Sequence, residues 1–286
     1  MTAPPPPVRT ALVYDFDGTL ISGSIQEHSL IPTYLGLDTQ KFWDEVKARS
    51  RADDADEILI YMELLLEKAK ALGRPFTRSV LTAHGAQAAL FAGVLEWFKR
   101  ISAHARERNL ILEHYVISSG NEEMIRGCAI ASEFMNIFAS RYRYEGENAV
   151  WPAVAINYTT KTQYLFRINK GIDNSWDNER VNRWQPMAER AVPFSRMIYL
   201  GDGDTDIPSM KMVRHQGGHS VAVFDPQKWS QPRMQKRVYS LIAEDRANFV
   251  VPADYTNGSQ LDITIKGILG RIARDEAGYR EPVGHE

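Results

Sequence analysis

Short apolar runs recur along the chain, and each stops at Gly, Asp, Ser or Pro: Ala11 to Tyr14, His114 to Ile117, Met197 to Leu200 and Ser220 to Phe224. Runs of this length with apolar residues at consecutive positions are the pattern of strands covered on both faces. Helical patterns lie between them, which predicts an α/β fold: a Rossmann-like, doubly wound parallel sheet with crossover helices. In such sheets ligands bind beyond the carboxyl ends of the strands.

The rhythm breaks between residues 24 and 90, where helical patterns occur without a strand. Ile58, Tyr61, Met62, Leu65, Ala69 and Leu72 follow helical spacing, with Asp53 and Asp54 upstream as candidate caps and Gly73 and Pro75 as a stop. This predicts an all-helical domain, 24–90, inserted after the first strand of a core formed by 10–23 and 91–286. The core resumes with a crossover helix carrying Val94, Trp97, Phe98 and Ile101. Residues 138–158 are rich in aromatic and β-branched types around a Gly-Glu-Asn turn and read as an antiparallel hairpin. A helix follows, capped by Thr159 or Thr160 and stopped by Gly171. The polar stretch up to Phe194 is expected at the surface, with some helix between Val181 and Arg190. Residues 1–9 read as a disordered proline-rich tail.

Composition narrows the partners. A formal charge of -2, without long blocks of one sign, offers no electrostatic footprint for nucleic acid or anionic lipid and favours small molecules. The one cysteine, Cys128, excludes an internal disulfide and any multi-cysteine metal site and fits a cytoplasmic setting. Any metal must rest on oxygen or histidine ligands. The start of the chain lacks a signal-peptide pattern, and no stretch approaches the roughly 20 apolar residues that cross a bilayer. Oligomeric state is left open.

Four elements carry candidate chemistry. In "YDFDGT", Asp15 and Asp17 crowd together at a strand end; two such carboxylates repel unless a cation sits between them or one holds a proton. The same residues also suit a solvated turn. "LGDGDTDIP" repeats the device with Asp202, Asp204 and Asp206. A helix cap accounts for Asp206 alone but not for Asp202, which follows its strand directly and faces the same sheet edge as Asp15. Carboxylates from two strand ends, without His or Cys, suit Mg²⁺. "ISSGN" places Ser118, Ser119 and Gly120 after a strand, with Asn121 opening a helix through Ile125, Cys128 and Ala129. That is either an oxyanion cradle or a Ser/Asn cap. Lys161 stands in a first helical turn, where the helix dipole disfavours a cation by up to about 1 kcal/mol unless an anion is held nearby.

In this order the four elements resemble the haloacid dehalogenase superfamily of aspartate-nucleophile phosphatases. "DFDGT" matches its first motif, Ser118 its second, Lys161 its third and "GDGDTD" its fourth. A helical insert directly after the first motif is similar to the cap of the subgroup that includes phosphoserine phosphatase, and "VPADYTNGSQLDITIKGIL" fits that fold's last strand and closing helix. The resemblance implies Asp15 as nucleophile and Asp17 as general acid and base. It implies Mg²⁺ held by Asp15, the Asp17 carbonyl and Asp202, with Asp206 in support. Ser118 and Lys161 would bind phosphoryl oxygens, beside Ser119 and Gly120. The implied substrate is a small phosphorylated metabolite, and a phosphotransferase or phosphomutase uses the same residues. A non-catalytic phosphate-binding regulatory module on this scaffold is the reading outside enzymes. Two departures bear on phosphoserine itself: Ser24 stands where that subgroup has a substrate-reading glutamate, and Ser118-Ser119-Gly120 replaces Ser-Gly-Gly. Glu27, His28, Arg49, Arg51 and His84 are candidate cap contacts, whereas Phe42 and Trp43 read as cap core.

Overall fold

The computed structural model describes residues 6–203 and 205–278. Its first strand, β1 (Val8–Tyr14), begins inside the expected tail, because Val8 and Arg9 pair with Leu110 and Ile111. The tail is therefore shorter than the nine residues expected, and its first five lie outside the described residues.

After β1 come α1 (Ile25–His28), α2 (Thr39–Asp53), α3 (Glu57–Ala71) and α4 (Arg78–Gly85), with a single π turn, Leu30–Tyr34, after α1. Among the described residues this segment holds no strand of its own. Its caps differ from those expected: Asp53 ends α2 and Asp54 takes a left-handed conformation after it, while Asp56 caps α3 by accepting the N–H groups of Ile58 and Leu59. The tight α2–α3 reversal uses three acidic residues, and only the last is placed to meet free helical donors.

The core then runs through α5 (Val94–Arg106), β2 (Leu110–Asn121), α6 (Glu122–Gly127), β3 (Asn136–Glu145), β4 (Asn148–Val154), α7 (Thr160–Lys170) and α8 (Asn178–Asn182). It closes with β5 (Met197–Gly201), α9 (Ile207–His215), β6 (His219–Phe224), α10 (Pro232–Ala243), β7 (Phe249–Pro252) and α11 (Gln260–Glu276). The strands form one sheet in the order β4-β3-β2-β1-β5-β6-β7, parallel except for the β3–β4 hairpin. β1 is central, and the chain winds to β2 on one side and β5 on the other. The crevice at the carboxyl end of β1 is thus the topological switch point.

Several boundaries shift. β2 extends through Ser118 to Asn121 with an irregularity against β3, so the serines end the strand rather than follow it. α6 stops at Gly127, and Cys128 and Ala129 lie beyond it. Gly127 sits so close to α4 that a Cβ there would lie 2.0 Å from the Thr82 carbonyl oxygen. At α7, neither Thr159 nor Thr160 caps the helix through its side chain: the Asn157 side-chain oxygen accepts both their N–H groups, and Gly171 ends the helix as expected. Between Val181 and Arg190 only the end of α8 and one 3₁₀ turn are helical.

Two apolar layers cover the sheet. One joins β1 and β2 side chains to α5, α11 and the inserted helices; the other packs α7 and α9 on the opposite face. The inserted helices are also tied to the hairpin by main-chain bonds, Arg78 N–H to Glu147 and Ala149 N–H to Phe76. Among the described residues no helix is long and apolar enough to cross a membrane.

Candidate active site at the carboxyl ends of β1 and β5

Asp15 leaves β1 with its N–H bonded to the Leu200 carbonyl of β5, so the neighbouring strand sets where its side chain emerges. The chain then turns on Gly18, whose φ is +70° and whose Cβ, if it had one, would lie 2.4 Å from Asp202 Oδ2. Only glycine allows the turn after β1 to lie against the carboxylate that follows β5. The two strand ends are thereby locked together.

Asp15, Asp202 and Asp206 each bring a carboxylate oxygen into a cluster within 4.8 Å. Lys161 enters it from α7: its Nζ lies 2.9 Å from Asp15 Oδ1 and 2.7 Å from Asp206 Oδ1, and only 1% of the side chain is exposed. Asp206 does not cap α9 through its side chain; it accepts hydrogen bonds from Lys161 and from the Tyr199 hydroxyl at 2.7 Å. The cap reading of this residue is thus excluded by its geometry. Asp202 pairs with Arg237 of α10 at 3.0 Å. Asp204 lies outside the described residues.

Asp17 stands apart from the cluster. Its Oδ1 accepts the Ile25 N–H at 2.9 Å at the start of α1. Burial pushes its carboxyl up to about 7, against the Ile25 N–H and Lys161, which favour the anion. Asp15 is held well above the ordinary carboxylate range, first by burial and then by Asp206, with Lys161 opposing. Burial also raises Asp202, opposed by Arg237. For Lys161, burial works against the charge, but Asp15 and Asp206 outweigh it and the amine stays a cation.

Three carboxylates, Asp15, Asp202 and Asp206, are paired to two cations, Lys161 and Arg237, and with Asp17 nearby two negative charges are uncompensated when all four are ionised. An all-oxygen donor set with that surplus fits a hard divalent ion such as Mg²⁺. Asp15, Asp202 and Asp206 are the side chains placed to hold it.

A cavity of about 480 Å³ opens over this cluster, and Asp15, Asp17, Lys161, Asp202, Ser119 and Gly120 belong to its wall. Ser118 is fully buried and takes the Gly120 N–H on its Oγ at 3.0 Å. Ser119, by contrast, belongs to the cavity wall, although its Oγ is itself buried and has no hydrogen-bond partner among the described residues. Of the two serines, Ser119 is the one that contributes to the wall.

The inserted helices form the facing wall. Of the five candidate cap contacts only Glu27 lines the cavity, where it accepts the Trp43 indole N–H at 2.7 Å. His28 and His84 are engaged internally, with the Ser22 carbonyl and the Ser29 hydroxyl, and Arg49 pairs with Glu45 and Glu67. Arg51 is exposed. Phe42 is core, and Trp43 is half-buried: it packs against the core as expected and also lines the cavity. Tyr61 of α3 meets Trp43 edge to face at 5.7 Å and donates its hydroxyl to the Ser119 carbonyl at 2.8 Å. The period of α3 marked Tyr61 only as apolar; its reach across the cavity depends on how the helices dock.

A family model described as haloacid dehalogenase-like hydrolase matches residues 12–211. An uncharacterised protein of Borreliella burgdorferi is 27% identical over 280 residues, covering 88% of this chain and 93% of that one. Among solved structures, a HAD family hydrolase from Salmonella enterica serovar Typhi aligns with a TM-score of 0.55 at 17% identity, covering 92% of this chain and 72% of its own. A phosphoserine phosphatase solved as an analogue of its phospho-aspartyl intermediate aligns with a TM-score of 0.52 at 12% identity, covering 91% of this chain and 99% of its own. At these identities the structural likeness is one of fold.

Proposed function

We propose, from the premise that this chain belongs to the haloacid dehalogenase-like hydrolases, that it is a Mg²⁺-dependent phosphatase acting on a small phosphomonoester in the cytoplasm. The observation that carries this reading is the division of the carboxylates. Asp15 lies in the ion-paired cluster with Lys161, while Asp17 faces the same cavity from outside that cluster, with its proton affinity raised to about 7.

In the proposed reaction an Asp15 carboxylate oxygen attacks the phosphorus, the bond from phosphorus to the ester oxygen breaks, and an aspartyl-phosphate forms. Protonated Asp17 delivers its proton to the departing alkoxide. The resulting Asp17 carboxylate then takes a proton from water as that water attacks the phosphorus, which releases phosphate and restores Asp15. A group that titrates near neutrality suits both transfers. Lys161 and the Ser119–Gly120 end of β2 meet the phosphoryl oxygens, with Ser118 fixing the peptide between them by accepting the Gly120 N–H. Mg²⁺ held by Asp15, Asp202 and Asp206 would supply charge compensation for the transferred group. The inserted helices serve as the cap that bounds the site and limits water.

A panel of phosphorylated metabolites, assayed with Mg²⁺ beside Asp15→Asn, tests the proposal. Release of phosphate from at least one ester, abolished by the substitution, is expected. Turnover that survives Asp15→Asn rejects the mechanism, and transfer to an added alcohol in preference to water assigns a phosphotransferase.

A further inference from the structure

The catalytic cavity does not end at the cluster. It shares Lys228, Met234 and Arg237 with a second cavity of about 620 Å³, bounded by α10 and the segments on either side of it. Five cations line that second space, Lys228, Arg233, Lys236, Arg237 and Arg246, against one carboxylate, Glu244. In a chain whose formal charge is -2 this is a local reversal of sign.

The cations are arranged as a track. Arg233, Lys236 and Arg237 stand at i, i+3 and i+4 on α10 and so share one helix face, where like charges repel. Arg237 is the inner end, because it is paired with Asp202 of the catalytic cluster. Lys228 sits at the junction of the two cavities and has Asp225 at 3.3 Å, a carboxylate also held by the Ser22 hydroxyl. At the outer end Arg246 is paired with Glu244. Between these ends Arg233 and Lys236 are exposed and form no ion pair among the described residues. The facing cap wall carries two carboxylates, Glu27 and Glu57, against one cation, Lys47. A second negative group on a bound ester is therefore drawn more strongly toward α10, with its five cations and one carboxylate, than toward the cap.

We propose that the α10 groove binds a second anionic group of the substrate, a phosphate or a carboxylate, so that the preferred substrate is a doubly anionic small molecule whose reacting phosphoryl lies at Asp15. The inference rests on the phosphatase reading for the identity of the reacting end. The groove itself does not depend on it. Both anion types are planar or tetrahedral oxyanions that Arg and Lys donors recognise, and a groove open to solvent and continuous with the site reaches either.

Matched ester pairs test it: fructose 1,6-bisphosphate against fructose 6-phosphate for a second phosphate, and glycerate 3-phosphate against glycerol 3-phosphate for a carboxylate. In the wild-type protein the doubly anionic member of at least one pair is expected to show a kcat/KM higher by roughly tenfold, mainly through KM and diminishing with added salt. In R233E/K236E that ratio collapses toward one. The ratio is internal to each preparation, so partial misfolding does not mimic the effect. Calorimetry of fructose 1,6-bisphosphate on Asp15→Asn protein in Mg²⁺ buffer, with and without R233E/K236E, reads the groove where there is no turnover; a loss of affinity of about tenfold is expected. No preference in either pair, a preference retained in R233E/K236E, or equal calorimetric affinities would overturn the groove. Failure of the wild-type protein to hydrolyse p-nitrophenyl phosphate would instead reject the phosphatase reading and leave the calorimetric test in force.

Discussion

Replacing Lys161 with methionine removes the one buried cation that joins Asp15 to Asp206. The lysine is 1% exposed and lies 2.9 and 2.7 Å from their oxygens, so the substitution leaves two buried carboxylates facing each other without a cation between them, Asp206 keeping only the Tyr199 hydroxyl and the Gly203 N–H. Breaking a buried pair in this way costs about 3–5 kcal/mol, and the two contacts do not count twice because the lysine's own desolvation is recovered when it leaves. A urea unfolding free energy lower by that amount is expected at pH 7.5 in EDTA. The pH dependence has a definite sign. Asp15 already has a folded-state affinity for protons above its unfolded value, and loss of the lysine raises it further. The native variant therefore gains protons more readily, and the gap from wild type narrows as pH falls through that raised range toward the unfolded value of about 4. Millimolar Mg²⁺ narrows it at neutral pH, since an ion bound only by the folded state stabilises by mass action. A Lys161→Met protein within about 1 kcal/mol of wild type in EDTA, or a gap that widens in acid, would refute the reasoning.

Other outcomes follow from contacts away from that lysine. His114 is buried between the Tyr14 hydroxyl on Nδ1 and the Ser102 hydroxyl on Nε2, and burial pushes it down to about 3. Its neutral form is thus required: the stability it allows is present above the unfolded value of about 6.5 and falls by roughly 2 kcal/mol by pH 5. Urea midpoints at pH 7.5 and 5 should converge in His114→Gln relative to wild type; an unchanged pH slope contradicts this. Gly18→Ala places a Cβ against Asp202 at a φ of +70°, so the Mg²⁺ concentration for half-maximal activity should rise, with about 1–2 kcal/mol lost in stability. An unaltered Mg²⁺ titration counts against the close approach. Tyr61→Phe frees the Ser119 carbonyl and should lower kcat by roughly tenfold while costing only about 1 kcal/mol in unfolding. A kcat equal to wild type shows that the loop holds its shape without the cap.

Two carboxylates of the cluster were legible in the sequence because each follows an apolar run, and strands covered on both faces leave few other places for charge. Asp15 and Asp202 therefore stand at adjacent strand ends as their patterns imply. Lys161 was legible for a different reason: a cation at a helix start needs an anion, and the structure supplies two. The places within "ISSGN" were less legible, since an irregularity between β2 and β3 lies where one serine joins the cavity wall and the other stays within the protein. The cap wall was not legible at all. Trp43 and Tyr61 obey the same helical period as core residues, and only docking onto β2 and α1 turns their polar atoms to Ser119 and Glu27. α10 carries no motif, and its basic face gains meaning only from Arg237 reaching Asp202.

Chemical trapping of the enzyme during turnover tests the central claim most directly. Borohydride added to the protein with its ester and Mg²⁺, followed by peptide mass analysis, should convert residue 15 from aspartate to homoserine, because an acyl phosphate is reduced and a free carboxylate is not. The conversion should require substrate and be absent in Asp15→Asn. Sustained turnover with residue 15 unmodified, or reduction at a different carboxylate, would contradict Asp15 as the nucleophile.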